Sequence, residues 1–221
     1  MRLTVINASP RGRWGNTARV LGSFIDGLRE GGLSEDLRYV RDLDSDAAAR
    51  ELWRDSEALL LAFPLYVYSL PAPALRFVSR LSPFAGSGGG KTLAFLCQYG
   101  FREGCHVRPL EGQLERMTRT LGARYGGLLS RGGCEGLQTY PDIVARRILV
   151  GFRQMGRHFA ENALTFDPKR LRDFSAPESA PRDRLGKLGA ALWARVANQM
   201  HWKPKLRRNR ALALEADQPL L

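Results

Sequence analysis

The chain has little of what ties a small fold together covalently or through metal. Of its 221 residues only three are cysteine and three histidine. Cys97, Cys105 and Cys134 form no CxxC pair, which excludes a disulfide framework and a metal knuckle. His106, His158 and His201 lie far apart and in no HxxxH or HExxH pattern, so no metal is expected. No apolar run approaches the roughly 20 residues that span a bilayer. The first apolar run, Leu3-Thr4-Val5-Ile6, stops at Asn7, too soon for a secretory signal, and the expected location is cytoplasmic. Acid is also scarce: 22 Asp and Glu face 34 Lys and Arg, a net charge of +12. Residues 141–221 hold 16 basic and 8 acidic side chains, so +8 of that excess sits in the last third. Such a surface either concentrates anions (nucleotides, nucleic acid, acidic headgroups) or merely keeps the chain in solution.

What is present is ordinary globular material, 44% hydrophobic and 25% charged, enough for one core with an appendage. Continuous apolar runs predict strands buried on both faces over residues 2–6, 58–63, 91–98 and 123–129, with a weaker one over 37–40. Helical spacing separates them, over 16–30, 47–53, 73–81 and 107–121, and a longer helix follows over 141–162. Strands alternating with helices imply one α/β domain, a doubly wound five-stranded parallel sheet over residues 1–163. A basic extension occupies 164–221. Its first part, 167–184, reads as an extended connection rich in Pro, Asp, Arg and Ser. A basic amphipathic helix over 184–200 then gathers Leu185, Leu188, Leu192, Trp193, Val196 and Met200 on one face. That helix docks on its own domain or a dimer mate, or else meets a membrane surface or macromolecule.

The first strand runs directly into Asn7-Ala-Ser-Pro-Arg-Gly-Arg-Trp-Gly-Asn-Thr17, a segment of glycines, hydroxyls, amides and arginines that adds nothing to a core. A loop leaving a parallel strand and entering a helix offers free N–H groups and a partial positive charge, a seat for an anion. Ser9, Asn16 and Thr17 add donors and Arg11 adds charge, while Gly12 and Gly15 let a ligand approach the backbone. The segment is neither a P-loop nor a GxGxxG fingerprint, which leaves a mononucleotide phosphate. The third strand ends in Phe63-Pro-Leu-Tyr-Val-Tyr-Ser-Leu-Pro-Ala-Pro73 and the fourth in Gln98-Tyr-Gly-Phe-Arg-Glu-Gly104. Both loops carry aromatic residues, and all three would surround one crevice.

These residues resemble the flavodoxin-like NAD(P)H-dependent FMN reductases and quinone reductases, over about residues 1–160. The strand followed by SPRG-x₃-NT is matched at Ser9 to Gly12 and at Asn16 and Thr17. The P-x-Y-x₄-P loop is matched by Pro64, Tyr66 and Pro71. The following K-x-F-x-D-R helix is matched in part by Arg76, Phe77 and Arg80, with Ser79 where the family has an acid. The resemblance implies that Ser9, Arg11, Asn16 and Thr17 hold the phosphate of FMN. Pro64, Leu65, Tyr66 and Val67, with Tyr99 and Gly100, would flank its ring.

It further implies hydride transfer from NADPH or NADH through FMN to a flavin, quinone or similar small acceptor, in a homodimer, with no nucleic-acid partner. A branch of the family holds an iron–sulfur cluster on cysteines between the second and third strands. Residues 42–57 contain none, so no cluster is expected. Cys97 is expected in the core, whereas Cys105 and Cys134 are expected in loops, either as plain unpaired thiols or bordering the crevice. Two other classes fit the same sequence: an electron carrier without NAD(P)H turnover, and an accessory protein acting through its basic helix.

Overall fold

The computed structural model of the chain describes residues 2–101, 103–174, 192, 195, 199 and 203–208. Two compact units divide it, Met1–Glu178 and Ser179–Leu221. In the first, β1 (Arg2–Asn7), α1 (Asn16–Glu30), β2 (Ser34–Tyr39), α2 (Asp46–Asp55), β3 (Ala58–Pro64) and α3 (Ala72–Arg80) are followed by β4 (Thr92–Gln98), α4 (Arg108–Thr120), β5 (Arg124–Arg131), α5 (Asp142–Glu161) and α6 (Pro168–Phe174). In the second unit α7 covers Lys203–Arg208. The amphipathic helix expected over 184–200 lies outside the described residues, apart from single positions.

All strand pairs are parallel and the order is β2-β1-β3-β4-β5. β3 and β4 are buried at every position, which is why they read as unbroken apolar runs. Side chains alternate between two layers. Leu59, Leu61, Phe63, Phe95 and Cys97 face Trp53, Phe77, Leu110 and Leu114 on one side. Val5, Leu60, Ala62, Ala94 and Leu96 face Val20, Phe24, Phe152 and Phe159 on the other. On that second side α1 and α5 touch through glycine. A Cβ on Gly27 would lie 1.8 Å from the Arg153 carbonyl oxygen, and one on Gly156 would lie 2.0 Å from that of Phe24. That backbone contact fixes where α1 begins relative to the loop that enters α5.

Two expectations are corrected. β2 starts at Ser34 rather than residue 37, because it is an edge strand whose polar residues pair with β1 while facing water. Residues 168–174, the described part of the connection expected over 167–184, are helical rather than extended. Phe166 donates its N–H to the Gly126 carbonyl at the free edge of β5, and α6 follows. Asp167 caps that helix by accepting from the Arg170 N–H at 2.9 Å, and Phe174 meets Phe152 edge-on at 5.1 Å. The compact unit holding the sheet therefore includes residues 164–174.

Candidate functional site

The carboxyl ends of β1, β3, β4 and β5 converge at one end of the sheet, where they send out four loops. In the first, Asn7 organises the turn from inside. Its Oδ1 accepts from the Ser9 N–H at 3.0 Å, and its Nδ2 donates to the Gly12 carbonyl at 3.2 Å. Ser9 Oγ in turn accepts from the Arg11 N–H at 3.3 Å. Gly12 takes φ +54°, the left-handed region glycine tolerates, and Gly15 leads into α1 with no side-chain cap. The Gly15 carbonyl accepts from Ala18 and Arg19. The N–H groups of Asn16 and Thr17 therefore have no acceptor among the described residues. They point out of the positive end of α1 with the exposed Arg11 close by in sequence.

The side chains of Asn16 and Thr17 are already employed. Asn16 Nδ2 donates to the carbonyls of Cys134 and Glu135 in the β5–α5 loop, at 2.8 and 2.9 Å. Its Oδ1 is buried without a partner. Thr17 is fully buried and its Oγ1 accepts from Gln98 Nε2 at 3.1 Å. Arg19 Nη1 donates to the Leu137 carbonyl, and Gln138 Nε2 to that of Trp14, at 2.6 Å each. The fourth loop is thus strapped across the start of α1. Partners some 120 residues away leave no local signal, and sequence reading missed this strap. A polar residue closing an apolar strand, as Asn7 and Gln98 both do, was the one available hint.

The β3–α3 loop is built the opposite way. Pro64 ends β3 in the core, and the Leu65 N–H continues the ladder to the Gln98 carbonyl at 3.0 Å. Tyr66 and Ser69 then exchange both backbone hydrogen bonds around a two-residue turn. Its central residues, Val67 and Tyr68, take φ +48° and +60°. Turns of this shape normally use Asn-Gly, and a β-branched residue there is an outlier. Val67 is nonetheless 90% exposed, with Tyr66 and Tyr68 about half exposed beside it.

Tyr68 meets the His106 ring at 5.6 Å, and Phe101 stands 4.8 Å from the same ring. His106 so joins the β3–α3 loop to the β4–α4 loop, a role its isolation in sequence did not suggest. Tyr99 differs from its neighbours. It is buried in the core, its hydroxyl has no partner, and burial pushes its phenol well above the ordinary value. Its N–H and carbonyl are paired to Arg131 and Cys134. No aromatic face is presented by Tyr99, while Gly100 beside it is exposed.

Of the cysteines, Cys97 is in the core as expected. Cys134, in the β5–α5 loop, is an unpaired thiol that is fully buried, and burial pushes it up to about 12. Cys105 is exposed. Among the described residues no cluster of His, Cys, Asp or Glu could hold a metal ion.

Solved structures share this fold at low sequence identity. An NADPH-quinone reductase from P. pentosaceus is 20% identical with a TM-score of 0.54, over 70% of this chain and 96% of its own. An NAD(P)H:quinone oxidoreductase from Methanothermobacter marburgensis is 19% identical at 0.51, over 72% and 96%. An FMN-dependent NADH-azoreductase from Bacillus anthracis, solved with FMN, is 11% identical at 0.54, over 72% and 99%. No protein-family model matches the chain, and no curated protein matches it. The likeness, with the strand order, makes the fold flavodoxin-like.

Proposed function

We propose that this chain is an FMN-dependent NAD(P)H oxidoreductase that reduces a small flavin, quinone or azo-type acceptor. One observation carries the reading: a seat of unpaired N–H groups at the start of α1 stands at the same end of the sheet as an exposed aromatic and apolar hairpin. A phosphate fits the first and a flat ring the second. The residues present suit FMN in a further respect, since the buried Asn16 Oδ1 is an acceptor awaiting a hydroxyl donor, and the ribityl chain is a polyol. Neighbours of the same fold are named as quinone reductases and an FMN-dependent azoreductase, which supports the same class.

In this reading Arg11 and the N–H groups of Asn16 and Thr17 bind the phosphate, each charge-assisted bond contributing about 1.5–3 kcal/mol. Ser9 and the Thr17 hydroxyl act from behind, holding loop geometry. Tyr66 and Val67 cover one face of the ring and exclude water from it, and Gly100 lets the ring approach the backbone. FMN, when bound, supplies the chemistry by accepting hydride from a nicotinamide and passing electrons on. The chain needs no general base for this, and we assign no catalytic residue.

The reading includes a homodimer, for which the exposed Trp14 and Phe101 offer apolar surface near the site. It also includes a cytoplasmic location; among the described residues no helix is long and apolar enough to cross a membrane. The test is to purify the chain with FMN, remove the excess and add NADPH without oxygen. A bound flavin spectrum that bleaches is expected. Bound flavin that stays oxidised would make the chain a carrier, and no bound flavin would remove the function.

A further inference from the structure

A second polar site lies away from these loops. A cleft of about 260 Å³ opens between α2 and α3, lined by Asp46, Arg50, Arg76, Ser79, Arg80 and Ser82. Three arginines and one carboxylate, Asp46, line it, and the arginines are not equivalent. Arg80 is spent: its Nε donates to Asp46 at 3.2 Å, and its Nη2 donates to the carbonyl and carboxylate of Asp44 at 3.0 and 2.9 Å. Arg50 makes one bond, from Nη2 to Asp46 at 3.2 Å, and its Nε is shielded from water with no acceptor. Arg76, one turn before Arg80 on α3, has no partner among the described residues. Ser82, on the same cleft, has no partner for its hydroxyl among the described residues, and Ser79 donates to the Leu75 carbonyl at 2.9 Å.

Two arginines with spare donors and a free hydroxyl thus border a cleft that holds a single acid, itself tied to Arg50 and Arg80. We propose that this cleft binds a phosphomonoester dianion. A carboxylate is planar and answers one guanidinium fork. A tetrahedral phosphate has oxygens enough for the forks of Arg50 and Arg76 and for Ser82 together. The volume suits it, since water takes about 30 Å³ each in the liquid and the cleft so holds a phosphate and part of its carrier. Arg80 and its two aspartates form the rigid back of the site. This inference rests on the arginines and is independent of the flavin reading.

Calorimetric titration of the full chain with glycerol 3-phosphate, in parallel with phosphatidylcholine vesicles containing phosphatidic acid, separates a soluble phosphate from a lipid headgroup. Binding of either probe that weakens at least tenfold in Arg50→Gln/Arg76→Gln is the expected result. Both arginines sit at the surface, and circular dichroism confirms that the double variant keeps its fold. Binding lost in Arg11→Gln but intact in the double variant would move the phosphate to the β1–α1 loop and overturn the site. Absence of binding by both probes would overturn it equally.

Discussion

The β1–α1 loop and the β3–α3 loop invert the usual rule of burial in opposite senses. In the first, Asn7, Ser9 and Thr17 are polar and buried, each with a hydrogen-bond partner. In the second, Val67, Tyr66 and Tyr68 are apolar or aromatic and exposed, on a turn whose backbone is strained. The first has used its side chains to stiffen itself, leaving unmet the backbone N–H groups of Asn16 and Thr17 and the Asn16 Oδ1. The second has accepted strain of about 1–3 kcal/mol per residue to hold apolar surface in water. Neither arrangement helps the free chain, and each suits a different end of one ligand: an anionic group and a flat ring.

The strongest way to break the contrast is Asn7→Ala. It leaves the Gly12 carbonyl and the Ser9 N–H buried and unpaired, at about 1–3 kcal/mol each. Urea unfolding should show a loss of about 3 kcal/mol, with FMN no longer retained. A loss under about 0.5 kcal/mol would mean that the loop is held some other way. Arg11→Ala should act on binding alone, because Arg11 is exposed and its guanidinium has no hydrogen-bond partner among the described residues. FMN affinity should fall by about 1.5–3 kcal/mol, read by fluorescence titration, with the melting temperature unchanged.

Val67→Gly should act with opposite sign on the two quantities. Releasing the β-branched residue from φ +48° should raise stability by about 1 kcal/mol, while flavin binding weakens. A fall in both would show that the turn is not strained.

How far the two loops were legible from sequence follows the same division. SPRG and NT announced the first loop because they sit beside one another and beside a strand. Its working partners did not show: Asn16 pairs with carbonyls at 134 and 135, and Thr17 with Gln98. Those contacts exist only once the sheet has formed. Pro64 and Tyr66 announced the β3–α3 loop, but nothing in Val67-Tyr68 signals a left-handed turn, since local preference argues against it. The central strands were plain because burial on both faces demands unbroken apolar runs. α6 was hidden because Pro, Asp and Arg made it look like a linker, while its anchor, Phe174 on Phe152, is a tertiary contact.

A smaller effect sharpens the role of the fourth loop. Cys134, inside the strap, has its thiol raised by burial from 9.0 to about 12. The folded chain therefore holds that proton where the unfolded chain has released it. Stability present below pH 9 should decline as pH rises from 9 toward 12. Cys134→Ala should flatten that decline in urea titrations across the range, and an unchanged slope would assign the decline elsewhere.

The most direct measurement compares FMN with riboflavin, which differs only in lacking the phosphate. Fluorescence titration of the free chain should give FMN at least about tenfold tighter binding, the worth of one charge-assisted hydrogen bond. That advantage should shrink in Arg11→Ala, the N–H groups of Asn16 and Thr17 keeping the rest. Equal affinity for the two flavins would contradict a phosphate seat at the start of α1, whatever the hairpin does with the ring.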